Sequence, residues 1–203
     1  MTAAAGAFAL IFLLMGEPET WWQGGLALLI AMVGGAIEGL AVGYAQWLLL
    51  KRWLLSLTAL AWVGVTVAAA VVGWFLGTLP SIVLGIVADD SAAPEAATAG
   101  PPLWVMPLIG MGSGLVLGAL FGWAQSLVLR RHVTNARTWT MANALGWAAA
   151  MAVMFTGAGI PSEPWPLGRL LPLAALTGVV AGLAIGGVTG AFLQRLRPTP
   201  VTE

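Results

Sequence analysis

Three kinds of residue in this sequence have the chemistry for a site, and each is scarce. Glu38 is a carboxylate set in the apolar run GGAIEGLAVG. An ionised group there is expensive in lipid, so it reads as an ion or proton site. The other reading is a protonated side chain that hydrogen-bonds a neighbouring helix or a partner subunit. His132 is the one histidine and stands beside Arg130 and Arg131. Its imidazole suits a pigment magnesium or a haem iron, and the whole trio suits a basic rim that meets lipid headgroups. Gln46, Gln125, Asn143 and Thr189 are polar side chains inside apolar segments. They suit interhelical hydrogen bonds, or contact with a headgroup, quinone or pigment carbonyl. Asp89, Asp90 and Glu95 share one loop and read as solvated rather than as a calcium site. There is no Ser/His/acid set, metal-ligand spacing or phosphate-cradling loop. Gly110-Met111-Gly112 sits within an apolar segment instead of after a strand, so it implies no nucleotide. With no cysteine, thiol catalysis, thiolate metal sites and disulfides are excluded.

These residues have to be positioned by membrane helices. Of the 203 residues, 60% are hydrophobic and 8% charged, whereas a soluble domain carries about a quarter charged residues. The formal charge is zero, which leaves no basic surface for nucleic acid. Apolar segments at about 2–16, 24–50, 54–79, 103–129, 137–160 and 168–194 predict an all-α integral membrane protein with about six spans in a single membrane domain, 1–203. The first is read as a short helix and not as a signal peptide, since it lacks a basic leader. The apolar segment 79–87 follows on through Pro80, which breaks helix continuity, and is expected to be a kinked extension of the third span or an interfacial turn. The stretch 89–102 is expected to be an external Ala/Pro-rich loop.

Charge sets the orientation. Lys51, Arg52, Arg130, Arg131, Arg137, Arg195 and Arg197 fall on one side of this arrangement and only Arg169 on the other. The bias predicts both termini inside, in a bacterial cytoplasmic (inner) membrane. Trp21, Trp22, Trp74, Trp104 and Trp165 are expected at the outer interface, and Trp47, Trp53, Trp123 and Trp139 at the inner one.

The chain also repeats itself. Glycines recur every fourth residue at Gly35, Gly39 and Gly43, at Gly110, Gly114, Gly118 and Gly122, and at Gly178, Gly182, Gly186 and Gly190. Each set predicts a bare helix face on which another backbone packs closely. GYAQWLLLKR (43–52) matches GWAQSLVLRR (122–131) at an offset of 79, and the degenerate third copy places Thr189 where the glutamines stand. Gln46, Gln125 and Thr189 should therefore share one depth, roughly 7 Å inside the basic ends at about 1.5 Å per residue, with Asn143 near the same level. The expectation is three parallel two-helix repeats (about 1–52, 53–131 and 137–197) in a pseudo-threefold bundle.

The repeated G-x-x-x-G-x-x-Q-x-x-x-L-[KR]-R segments, with Gly73-Trp74 and Gly146-Trp147 in the intervening helices, resemble a group of uncharacterised bacterial multi-pass membrane proteins. The resemblance implies a fold and no activity. Mitochondrial carriers share a three-repeat plan, but their Pro-x-acid-x-x-base element is absent. A chain rich in packing devices and poor in reactive groups is expected to be a non-enzymatic structural or accessory subunit of a larger membrane complex. Its expected contacts are membrane lipids, other membrane subunits, and a pigment or quinone at the periphery. The alternative is a small proton, ion or solute transporter that uses Glu38.

Overall fold

In the computed structural model, residues 18–87, 101–161 and 165–197 are described. They form five helices: α1 (Trp21–Leu50), α2 (Ala59–Val87), α3 (Met106–Leu129), α4 (Arg137–Gly159) and α5 (Leu167–Leu193). All five are long and apolar enough to cross a bilayer. Helix is the form that satisfies every backbone N–H and C=O within one segment when no water is at hand. The first predicted span and all but the end of the predicted external loop lie outside the described residues.

Local signals account for the helix ends. α1 opens on a capping box, in which the Gln23 N–H donates to Thr20 Oγ1 at 3.3 Å and the Thr20 N–H donates to Gln23 Oε1 at 3.1 Å. α5 starts directly after Pro166. Pro80 does not end its helix: α2 runs through it to Val87. A membrane helix tolerates the lost backbone bond because packing around it holds the direction of the chain.

The helices form a row in which α1 packs on α2, α2 on α3, α3 on α4, and α4 on α5. Neighbours run antiparallel, so the basic residues that follow α1, α3 and α5, together with Arg137 at the start of α4, gather at one end. The backbones of the glycine-rich helices α1, α3 and α5 do not come close to one another. Each instead lies beside an intervening helix.

The tightest pair is α3–α4. A Cβ added at Gly110, Gly114 or Gly118 would land on the carbonyl oxygens of Met151, Trp147 and Asn143, and one at Gly122 would lie 2.6 Å from Thr140 Cα. The hydrogens that occupy those directions point at carbonyls, a weak Cα–H···O contact of about 0.5–1 kcal/mol each. On α1, a Cβ added at Gly39 would lie 2.8 Å from Val67 Cα and one at Gly43 3.2 Å from Val63 Cα, while one at Gly35 would meet the Trp74 ring.

α5 departs from the pattern. Nothing lies within 4 Å of a Cβ built at Gly182, Gly186 or Gly190, and Gly178 is half-buried. The contact with α4 is made one residue earlier, by Thr177, Ala181, Ile185 and Thr189 against Gly157 and Gly146. One residue is about 100° of helix rotation, which is enough to turn the glycine stripe off the interface.

These packings predict opposite responses to the same small change. Gly118→Ala should destabilise the fold by about 1–3 kcal/mol through overpacking against the α4 backbone, while Gly186→Ala should change it by less than about 0.5 kcal/mol. Unfolding midpoints in mild detergent would check the pair, and equal losses would contradict the assignment of faces.

Candidate functional site

The polar residues singled out in the sequence converge at the basic end of the bundle, around Gln125. Its side chain is 1% exposed and reaches three other helices. Gln125 Nε2 donates to Gln46 Oε1 of α1 at 2.9 Å and to Thr66 Oγ1 of α2 at 2.9 Å. Gln125 Oε1 accepts from Trp139 Nε1 of α4 at 2.7 Å. The amide orientation is dictated by chemistry, because an indole N–H can only donate and must meet the oxygen. Thr66 Oγ1 passes its own proton to the Trp62 carbonyl at 2.8 Å. Both donors and an acceptor lone pair of Gln125 are thereby used.

An apolar shell encloses this knot. Leu50, Leu54, Leu57, Trp62, Leu129, Val133, Ala136, Trp139 and Ala142 form one buried cluster, with Phe192 and Leu193 of α5 against it. Trp62 and Trp139 meet edge to face at 5.9 Å. Trp62 Nε1 is buried without a hydrogen-bond partner, which costs about 1–3 kcal/mol and is offset by the packing of the whole indole. Low dielectric around the knot strengthens each of its bonds and makes a broken one costly.

Two of the four predicted layer residues differ from expectation. Asn143 is buried at the right level, but its Nδ2 donates to the Trp139 carbonyl of its own helix at 3.0 Å. Thr189 does not join the Gln125 knot: its hydroxyl donates to the Ile185 carbonyl of its own helix one turn back at 2.7 Å. The places are filled by Thr66 and Trp139, which sequence reasoning missed. A signal existed: each stands seven residues before the Gly-Trp dipeptide of its helix, at Gly73-Trp74 and Gly146-Trp147. Trp139 is 2% exposed and so is a core residue rather than an interfacial anchor. Trp74 stands mid-helix on the face that meets Gly35, well short of the outer end. Trp21, Trp22, Trp53, Trp104 and Trp123 do project outward.

The loops at this end are tied to each other. His132 Nδ1 shares a hydrogen bond with Ser56 Oγ at 2.9 Å, linking the α3–α4 turn to the α1–α2 turn. Arg130 and Arg131 flank it and are exposed. Trp47 Nε1 donates to the Leu57 carbonyl at 2.9 Å, and Lys51 Nζ sits 4.3 Å above the Trp47 ring. Glu38 is far from this cluster, half-buried midway along α1. The chain's lysines and arginines all stand at or near helix ends, so none shares its depth.

The knot itself is a closed set of hydrogen bonds, and among the described residues no three His, Asp or Glu side chains gather to hold a metal. No protein-family model, curated protein or solved structure matches the chain.

Replacing Gln125 by Leu should cost about 2–4 kcal/mol, since three interhelical bonds of about 0.6–2 kcal/mol each are lost and the Trp139 N–H is left buried. Thr189→Val should stay within about 0.5 kcal/mol. Denaturant titration of the two variants in detergent would check this, and comparable losses would restore Thr189 to the layer.

Proposed function

We propose that this chain is a non-enzymatic structural or accessory subunit of a larger membrane protein complex in the bacterial cytoplasmic membrane. One observation carries the reading. Among the described helices α5 packs on α4 alone, and nothing lies within 4 Å of a Cβ built at Gly182, Gly186 or Gly190 of its glycine stripe, which Val179, Val180 and Leu183 border. α1 and α3 cover the same kind of stripe with a neighbouring helix. A bare stripe gains dispersion contacts over its full length only when another backbone lies on it. The natural cover for α5 is a helix of a partner subunit.

The polar side chains add support, because the Gln125 knot is consumed in holding helices and offers no free group to a substrate. We further propose that the chain is built of three parallel two-helix repeats, with both termini and the basic end in the cytoplasm. Seven of eight lysines and arginines at one end of the row support this orientation.

A second reading rests on Glu38. It is the one acidic residue within the five described helices, and its Oε1 is withdrawn from the surface. A carboxylate at that depth suits proton or ion movement.

The readings separate in experiment. Native purification in mild detergent should bring down a second membrane protein with the wild type, and Gly186→Leu should lose it while keeping the unfolding midpoint. A Gly186→Leu chain that unfolds as readily as Gly118→Leu would mean that the stripe is covered within the chain itself. A proton or solute flux in liposomes that Glu38→Gln abolishes, with assembly intact, would favour the transporter.

A further inference from the structure

We propose that the cleft between the start of α4 and the end of α5 binds the phosphate group of an anionic phospholipid. The cleft encloses about 590 Å³ at the basic end, and Thr134, Asn135, Thr138, Phe192, Arg195 and Arg197 line it. The inference needs the chain to lie in a bilayer but does not depend on the accessory-subunit reading.

Charge is the first argument. Arg195 and Arg197 both border the cleft and are exposed. The described acidic residues, Glu19 and Glu38, stand before and midway along α1, so neither reaches these guanidinium groups. The start of α4 adds to the same field. Its first turn holds no acidic residue and its Ala136 N-cap supplies no side-chain acceptor, so the positive end of the helix is uncompensated. A phosphate fits the paired N–H donors of an arginine fork.

Positioning is the second. The Asn135 side chain brackets the backbone of the strap that carries both arginines. Asn135 Nδ2 donates to the Arg195 carbonyl at 2.6 Å, and Asn135 Oδ1 accepts from the Arg197 N–H at 2.9 Å. The Thr134 N–H adds a bond to the Arg197 carbonyl at 3.0 Å. Arg195 is held over the Phe192 ring with its guanidinium carbon 4.9 Å from the centroid. Topological positive charge explains why arginines follow α5. It does not call for an amide that fixes the strap by both faces.

Location is the third. Met141, which also lines the cleft, is 60% exposed on α4 and continues its wall toward the apolar zone. A lipid placed here has its phosphate at the arginines and its chains along α4 and α5. Of the trio Arg130, Arg131 and His132, the His132 imidazole already serves Ser56.

The test uses the full chain in neutral detergent, with short-chain phosphatidylglycerol and phosphatidylcholine as probes and bound lipid read by native mass spectrometry. The wild type should prefer phosphatidylglycerol at least tenfold, and Arg195→Gln/Arg197→Gln should remove that preference. Both side chains are exposed, so the fold is retained. Asn135→Ala keeps the charge, frees the strap and should weaken binding to an intermediate degree, whereas Arg130→Gln/Arg131→Gln should bind as the wild type does. An undiminished preference in either the Arg195/Arg197 or the Asn135 variant would overturn the proposal. So would an equal loss in the Arg130/Arg131 variant, or displacement of the lipid by inorganic phosphate.

Discussion

The structure depends on how one buried amide is satisfied where water is absent. Gln125 lies between helices that approach each other in very different ways. α3 and α4 meet backbone to backbone through glycine, and α1 and α2 nearly so. Between α2 and α3 the approach is looser and is made by side chains, with Leu117 and Phe121 against Gly73, while Phe121 also stacks on Trp147 of α4 at 4.9 Å. Close backbone packing therefore makes two stiff units and leaves a soft seam between them. The hydrogen bonds from Gln125 to Gln46 and Thr66 cross that seam, and the bond from Trp139 fixes the amide that makes them. In lipid no hydrophobic drive pushes helices together, so a seam without backbone-to-backbone packing needs a directional bond to hold its register.

The same economy explains the distribution of polarity. α4 has the lowest mean hydropathy of the five helices, 1.3, and the most buried apolar stretch, 33%, because neighbours cover it on two sides. α5 faces lipid or a partner over most of its surface, with 11% buried and a mean hydropathy of 2.0. Residues are apolar where they meet the bilayer and small or polar where they meet each other.

Much of this was legible in the sequence, and the exceptions have physical causes. Helix ends could be placed because charge, proline and glycine cannot sit cheaply in mid-bilayer, and Gln46 and Gln125 could be paired because their surrounding segments repeat. Trp139 was misread because a tryptophan near a span end suits an interface and a core equally well. Only the packing of α3 on α4 decides between them. Thr189 was misplaced because a hydroxyl can return its proton to its own helix one turn back, an option closed to a glutamine amide of that reach. The α5 stripe has the same spacing as the other two, and a spacing does not reveal which way a helix is rotated against its neighbour. Of the two readings for the segment beyond Pro80, the structure shows the extension, with α2 continuing to Val87.

The claim that Gln125 is the bolt across the seam concerns two protons, and these can be observed directly. Side-chain amide hydrogen exchange, followed by NMR on the chain in detergent with ¹⁵N-labelled glutamine, compares Gln125 with the exposed Gln194. If the account holds, both Gln125 protons exchange orders of magnitude more slowly than those of Gln194, and at similar rates to each other, since each is held by a separate helix. Exchange at the Gln194 rate, or protection of only one proton, would contradict it.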